Sequence, residues 1–278
     1  MLSVVIPLYN NEDQLGAQLD AVLGQRVDED FEVVVADNGS TDGSRAAVER
    51  YSAADSRVRL VDASRRRGPG AARNDGVKAA VSEKLFFCDA DDVVHDGWLA
   101  GLREGLSHAD IVAGALDVWT FQGAPQHPYS DPTPTQFRFL PAGLGANLAV
   151  TREAFEAMGG FNEELRVGED IDLCWRVQLS GRRFELRMDA AVAKRPRETG
   201  RLHITQSLSY GRSDVALYRR FRHAGMPRRP AHAVKVWGWI TLNVWTVGSA
   251  DRRRVWSEAL FIQVGRLLGS WQQRVFYP

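Results

Sequence analysis

Apolar positions along the chain fall into short runs that alternate with amphipathic stretches. Leu2 to Ile6 is a nearly unbroken apolar run closed by Pro7, and Phe31 to Ala36 is a second with a β-branched centre. Runs of this length bounded by turn residues predict buried strands. Between them Leu15, Leu19 and Val22/Leu23 recur at helical spacing as far as Gly24, which predicts a helix. Thr41 or Asp42 is placed to cap a second helix reaching about Ala54, and Val58 to Val61 reads as a third strand. Such βαβαβ alternation predicts a parallel sheet with helices on its faces and its strand ends along one rim.

The alternation continues down the chain. A helix is expected through Val77 to Val81, followed by a strand from Lys84 to Phe87. Leu99, Leu102 and Leu106 mark another helix, and Ile111 to Phe121 reads as a strand. Gln122 to Gln136, carrying Pro125, Pro128, Pro132 and Pro134, predicts a long loop. Gly143 to Val150 reads as a Gly-rich turn and strand, with Thr151 capping a short helix to Met158. Gly168-Glu169-Asp170 opens an amphipathic helix with Gly181 beyond its end, and Phe184 to Ala193 is the final strand region. Leu208 to Ala224, Val234 to Val247 and the tail read as helices. The expected division is therefore an α/β domain over 1–195 and a basic, Trp-rich helical extension over 196–278.

With 278 residues, 44% of them hydrophobic and 25% charged, the composition is that of a soluble globular protein with a sizeable core. No apolar run approaches the roughly 18 residues of a spanning helix. The N-terminus reads as a first strand, without the basic leader of a signal peptide. Cys88 and Cys174 are spaced for neither zinc nor a disulfide framework, so a reducing cytoplasmic setting is expected. Zero net charge hides an asymmetry: residues 1–130 sum to −9, 131–180 to −4 and 181–278 to +13. The basic part suits either an anionic partner or a solvated face.

The strand ending at Phe87 runs into Cys88-Asp89-Ala90-Asp91-Asp92. Carboxylates there stand where open α/β sheets bind ligands and can offer oxygens to a hard divalent cation. The same residues also suit a plain turn or cap. Arg65-Arg66-Arg67-Gly68, before a helix start, suits phosphate by charge-assisted bonds or is simply a basic loop. Glu169 and Asp170, in a first helical turn, are dipole partners or reactive acids.

Five segments resolve these choices together. Val4-Val5-Ile6-Pro7-Leu8-Tyr9-Asn10-Asn11-Glu12, Asp37-Asn38-Gly39-Ser40-Thr41-Asp42, Gly70-Ala71-Ala72-Arg73-Asn74, Asp89-Ala90-Asp91-Asp92 and Gly168-Glu169-Asp170 occur in this order. The set resembles the family 2 inverting glycosyltransferases of GT-A fold, over residues 2 to about 195. The resemblance implies a Rossmann-like sheet with helices on both faces, plus the helical extension. It also implies a nucleoside-diphosphate sugar lying across the strand ends. Asp37 would accept a hydrogen bond from the ring N–H of uracil or thymine, with Pro7, Tyr9 and Glu12 lining the nucleoside pocket. Arg73 and the preceding loop, Arg67 and Gly68, would approach the diphosphate. Asp89 and Asp91, flanking Ala90, would face the ribose and a Mg2+ or Mn2+ ion. Asp170 would be the catalytic base, with Glu169 orienting acceptor or donor beside it.

Direct displacement agrees with that layout, because a carboxylate must take the acceptor proton while a metal-bound diphosphate leaves on the other face of the sugar. One departure stands out: many relatives carry a His where this chain has Lys194. A protonated ammonium cannot ligate a cation, so Lys194 is expected to touch the diphosphate as a point charge, with His203 a weak substitute. The implied acceptor is a glycan, a lipid-linked or cell-wall polymer, or a small natural product. Nucleic acid is not an expected partner, and homo-oligomerisation stays open. A nucleotidylyltransferase and a catalytically decayed nucleotide-sugar or glycan binding protein are the alternatives. Residues 181–278 hold five of the eight tryptophans together with the basic excess. This pairing raises a peripheral contact with the inner membrane face, through Arg228, Arg229, Lys235 and Trp237.

Overall fold

The computed structural model describes residues 1–123, 129–133, 137–195 and 201–278, without the side chains at 201–203, 247, 250 and 251. Much of the expected Pro-rich loop, and the side chain of His203, lie outside the described residues. Two compact units divide the chain: Met1–Pro134 with Leu140–Glu164 and Glu169–Pro196, and Thr135–Phe139 with Leu165–Gly168 and Arg197–Pro278.

The first unit begins β1 (Leu2–Leu8), α1 (Glu12–Leu23), β2 (Phe31–Asp37), α2 (Ser44–Ala54), β3 (Val58–Asp62), α3 (Pro69–Ala79) and β4 (Lys84–Cys88). It continues with β5 (Val93–Val94), α4 (Trp98–Gly105), β6 (Ile111–Asp117), β7 (Asn147–Thr151), α5 (Arg152–Ala157), α6 (Glu169–Leu179) and β8 (Phe184–Ala193). One eight-stranded sheet runs in the order β3-β2-β1-β4-β7-β6-β8-β5. β1, β2, β3 and β4 are parallel, as the βαβαβ alternation requires. Beyond them the sheet is mixed, since β7 runs antiparallel to both β4 and β6, and β5 antiparallel to β8. A buried apolar run does not encode strand direction, so this reversal was not legible in the pattern.

Strand alternation sends side chains to opposite faces. Val4, Ile6, Val33, Val35 and Phe86 join Leu15 and Leu19 of α1, Val48 of α2 and Leu102 of α4 in one core. On the other face α3 lies so near β1 that a Cβ on Gly76 would stand 2.5 Å from Val5 Cγ1. There Phe87 meets Phe155 and Phe161 at ring separations of 6.0 and 5.1 Å. Helices thus cover both faces.

Of the expected boundaries that move, two have a clear local reason. β6 stops at Asp117 instead of reaching Phe121, because the Asp117 carboxylate accepts the N–H groups of Trp119 and Thr120 at 2.9 and 3.0 Å and turns the chain. α2 starts at Ser44, where Asp42 accepts the Ser44 N–H at 3.0 Å and Glu12 accepts that of Gly43 at 2.9 Å.

Fully buried Asn147 at the start of β7 ties the reversed strand in place. Its Nδ2 donates to the carbonyls of Ala115 and Ala190, both at 2.8 Å, and its Oδ1 accepts Trp98 Nε1 at 2.8 Å. Asn147→Ala strands these partners without water, so a loss of at least about 2 kcal/mol is expected in denaturant unfolding. An unchanged midpoint would contradict this role.

The second unit holds α7 (Arg201–Phe221), α8 (Pro230–Leu242) and α9 (Ala250–Gln273). Glycines let α7 and α9 meet backbone to backbone: a Cβ on Gly211 would lie 2.0 Å from the Ile262 carbonyl, and one on Gly265 2.4 Å from that of Leu208. Buried Arg266 and Asp214 pair at 2.8 Å across the same contact, beside the stacked rings of Tyr218 and Tyr277.

Candidate functional site

Leu8, Asp37 and Asp62 stand in register at the carboxyl ends of β1, β2 and β3, so the loops leaving β1 and β2 start side by side. They are laced together. Asn10, at φ 48°, accepts the Thr41 N–H at 2.7 Å and donates its own to Ser40 Oγ at 3.0 Å. Asp37 is wholly buried, one oxygen accepting the Ser40 N–H at 3.0 Å and the other paired with Arg45 at 2.8 Å. Pro7 lies within β1 opposite Ala36, and Glu12 is committed to the start of α2.

Tyr9 stands out from this frame, 52% exposed, with the Arg67 guanidinium 4.8 Å from its ring centre. The arginine loop is held by Asn38, which donates to the carbonyls of Ala63 and Arg66 at 2.6 and 2.8 Å. Its Oδ1 accepts the Gly68 N–H at 2.9 Å, at a backbone φ of 135° that favours glycine. In the sequence Asn38 is only one member of a motif; its structural work needs β2 and the loop after β3 to be neighbours.

β4 delivers the acidic cluster. One oxygen each from Asp89, Asp91 and Asp92 lies within 4.8 Å of the others, with Ala90 buried between the first two. Buried Gln18 of α1 holds the turn, donating to the Asp89 carbonyl at 2.9 Å and accepting the Val94 N–H at 3.0 Å. Gln18 interrupts the Leu15, Leu19, Val22 stripe, and a polar residue on an apolar helical face is the one sign of this role in the sequence. Lys194 stands inside the cluster, its Nζ 3.1 Å from Asp89 and 2.6 Å from Asp92. Arg195 adds its backbone N–H to Asp92 at 3.0 Å and its Nε to the Asp91 carbonyl at 2.9 Å. Burial alone would raise the Asp89 carboxyl, but the Lys194 ammonium and the Arg73 guanidinium outweigh it and hold it well below the usual range.

Arg73, expected near a diphosphate, is 3% exposed and bridges two acids, Asp89 at 2.6 Å and Glu169 at 2.8 Å. Its guanidinium also faces the Phe161 ring at 5.4 Å. Its two terminal nitrogens meet the two carboxylates, while its buried Nε has no hydrogen-bond partner among the described residues. Lys194, expected to meet the diphosphate as a point charge, pairs with two carboxylates of the same cluster.

Glu169 and Asp170 open α6. Burial, and then the neighbouring Asp170 carboxylate, push the Glu169 carboxyl above its ordinary value against the pull of Arg73. Asp170 is half-buried and accepts the Gly145 N–H at 2.8 Å and the Ile171 N–H at 2.8 Å. Gly145 fits because a Cβ there would stand 2.6 Å from Arg73 Cζ. A chain of ion pairs therefore runs from Lys194 through Asp89 and Arg73 to Glu169, whose neighbour in sequence, Asp170, accepts the Gly145 N–H.

Among the described residues the Asp91 side chain has no hydrogen-bond partner. The cluster's three carboxylates face one ammonium and share one arginine with Glu169. An uncommitted carboxylate in an acidic surround fits a hard divalent cation.

The fold is that of the GT-A glycosyltransferases. It is similar to the solved mannosyltransferase PcManGT from Pyrobaculum calidifontis, in complex with GDP-Man and Mn2+, at a TM-score of 0.72 and 20% identity, covering 98% of this chain and 87% of that one. Residues 3–160 match the family described as glycosyl transferase family 2, and the chain belongs to that family. A poly(ribitol-phosphate) beta-glucosyltransferase of Bacillus spizizenii is 32% identical over 139 residues, 48% of this chain and 22% of that protein. A pre-mycofactocin glycosyltransferase of Mycobacterium tuberculosis is 29% identical over 236 residues, 78% of this chain and 47% of that protein. The chain spans less than half the length of these two curated relatives. No helix among the described residues is long and apolar enough to cross a membrane.

Proposed function

We propose that the chain is a divalent-metal-dependent, inverting glycosyltransferase. It moves a hexose from a UDP- or dTDP-sugar to an acceptor hydroxyl in glycan, cell-wall or natural-product biosynthesis. The observation that carries this reading is the link through Arg73 between the acidic cluster after β4 and the acid pair that opens α6. Two sites with separate tasks are thereby fixed at one distance from each other.

On this reading Asp37, Pro7 and Tyr9 hold the nucleoside, with Arg67 and the Gly68 backbone near the phosphates. Glu12 shapes that pocket through the start of α2. Asp91, joined by Asp89, would hold the Mg2+ or Mn2+, which when bound stabilises the charge of the leaving diphosphate. Asp170 takes the proton of the acceptor hydroxyl, whose oxygen forms the new bond to the anomeric carbon while the bond to the diphosphate breaks on the opposite face. The Gly145 N–H fixes the orientation of the Asp170 carboxylate, and Glu169 keeps Arg73 in place beside it. Lys194 offsets the negative charge that Asp89 and Asp92 would otherwise turn on an arriving diphosphate.

Incubation with a panel of nucleotide sugars should release free nucleoside diphosphate from one donor, slowly without acceptor. Release should stop with chelator and fall by most of its rate in Asp91→Asn, with the circular dichroism spectrum unchanged. Turnover that persists after chelation would remove the metal from the reading. Pyrophosphate as product would identify a nucleotidylyltransferase, and binding without turnover a decayed enzyme.

A further inference from the structure

The second unit exposes apolar side chains where a helical unit folding for its own sake would bury them. Val234 is 72% exposed, Leu242 79% and Trp245 88%. All lie on α8 or in the short 3-10 turn Val244–Gly248 that follows it. Lys235, Trp239 and Leu242 are spaced i, i+4, i+7 and so share one face of α8, and all three are exposed. After the turn, α9 opens with Arg252, Arg253, Arg254 and Val255, again all exposed. Trp256 Nε1 donates to the Ile240 carbonyl at 2.9 Å, folding the start of α9 back against the end of α8. Leu242, Trp245 and the three arginines are thereby gathered at one end of a helical hairpin.

Charge decides what such a surface meets. Three consecutive arginines next to protruding Trp and Leu side chains would be poor company for a basic or neutral protein face. They complement a surface that is anionic at its rim and apolar just beneath, and Trp suits that boundary. Of the residues first expected there, Arg228 instead donates to the Tyr218 hydroxyl at 2.8 Å and Trp237 is half-buried, so the contact moves along the chain to Trp239–Val255.

We infer that the tip of the α8–α9 hairpin docks peripherally on an anionic phospholipid bilayer, with Leu242 and Trp245 entering the headgroup layer and Arg252, Arg253 and Arg254 neutralising lipid charge. This inference does not rest on the glycosyltransferase reading, and its test uses no substrate.

Sedimentation with phosphatidylglycerol/phosphatidylcholine vesicles should bring the full chain down at low salt, and pure phosphatidylcholine should not. Binding should fade toward 1 M salt as charge attraction is screened. The triple change Arg252→Gln, Arg253→Gln, Arg254→Gln should weaken binding on the order of a hundredfold, the scale set by three basic contacts. Leu242→Ala with Trp245→Ala should weaken it roughly tenfold by removing buried apolar area. Trp271→Ala is the control: Trp271 is 82% exposed on the same helix but lies about 25 Å beyond Arg254 at 1.5 Å per residue. That variant should bind as the parent does. The charge and apolar variants alter exposed positions, and an unchanged thermal midpoint shows that each is folded. Failure of the parent to bind anionic vesicles at low salt would overturn the inference. So would undiminished binding by the triple variant, or an equal loss in Trp271→Ala. A dimer in sedimentation velocity that Trp245→Ala dissociates, with no vesicle binding, would assign the surface to a second copy of the chain instead.

Discussion

Asp170→Asn is expected to lower turnover by roughly 10²–10⁴, the range lost with a positioned general base, while donor affinity stays within a few fold. The amide matches the carboxylate in shape and keeps one oxygen, so it retains one of the two N–H contacts, Gly145 on Oδ2 and Ile171 on Oδ1, that orient the carboxylate. It cannot take the acceptor proton. Titration calorimetry with nucleoside diphosphate, set beside single-turnover transfer, separates the two effects. Near-parental transfer would shift the base to Glu169, which is already engaged with Arg73 and raised by burial. The anomeric configuration of the product is an independent check, since retention would contradict direct displacement.

Arg73→Met should produce the largest loss of stability. The guanidinium is buried between Asp89 and Glu169, and removing one member of a buried charge set typically costs about 3–5 kcal/mol because the remaining charges lose their partner. At about 2–4 °C per kcal/mol for a domain of this size, the thermal midpoint should fall by on the order of 10 °C. Arg73→Met combined with Glu169→Gln should recover part of that loss by deleting one uncompensated carboxylate. A single variant with the parental midpoint would show that water reaches and solvates the three groups. Transfer should fall as well, because Asp89 and the start of α6 lose their common tether.

How much of this was legible in the sequence differs from element to element. The parallel strands β1 to β4 and the helices between them follow from apolar runs and helical spacing, which report burial directly. Asp37, Asp89, Asp91, Glu169 and Asp170 stood out because carboxylates immediately after a buried strand, or at a helix start, are conspicuous in a pattern. Gln18, Asn38, Asn147 and Arg195 did not stand out. Each works by bonding backbone groups far away in sequence, and no local pattern encodes a partner 30 or more residues distant, such as Gly68 for Asn38.

Arg73 shows the same division most sharply. Its neighbours Gly70, Ala71, Ala72 and Asn74 marked the family, and the resemblance implied a phosphate contact. Only the tertiary structure shows its two carboxylate partners, because Asp89 and Glu169 lie 16 and 96 residues away in the chain. The sequence by itself determined the strand-and-helix order, the rim on which the acids collect and the basic, Trp-rich character of the C-terminal part. The three-dimensional packing alone decided the reversal of β7, the capture of Arg73 and Lys194 by the acids, and which tryptophans face outward. Those outcomes depend on contacts between distant segments, whose energies a one-dimensional pattern of polarity does not contain.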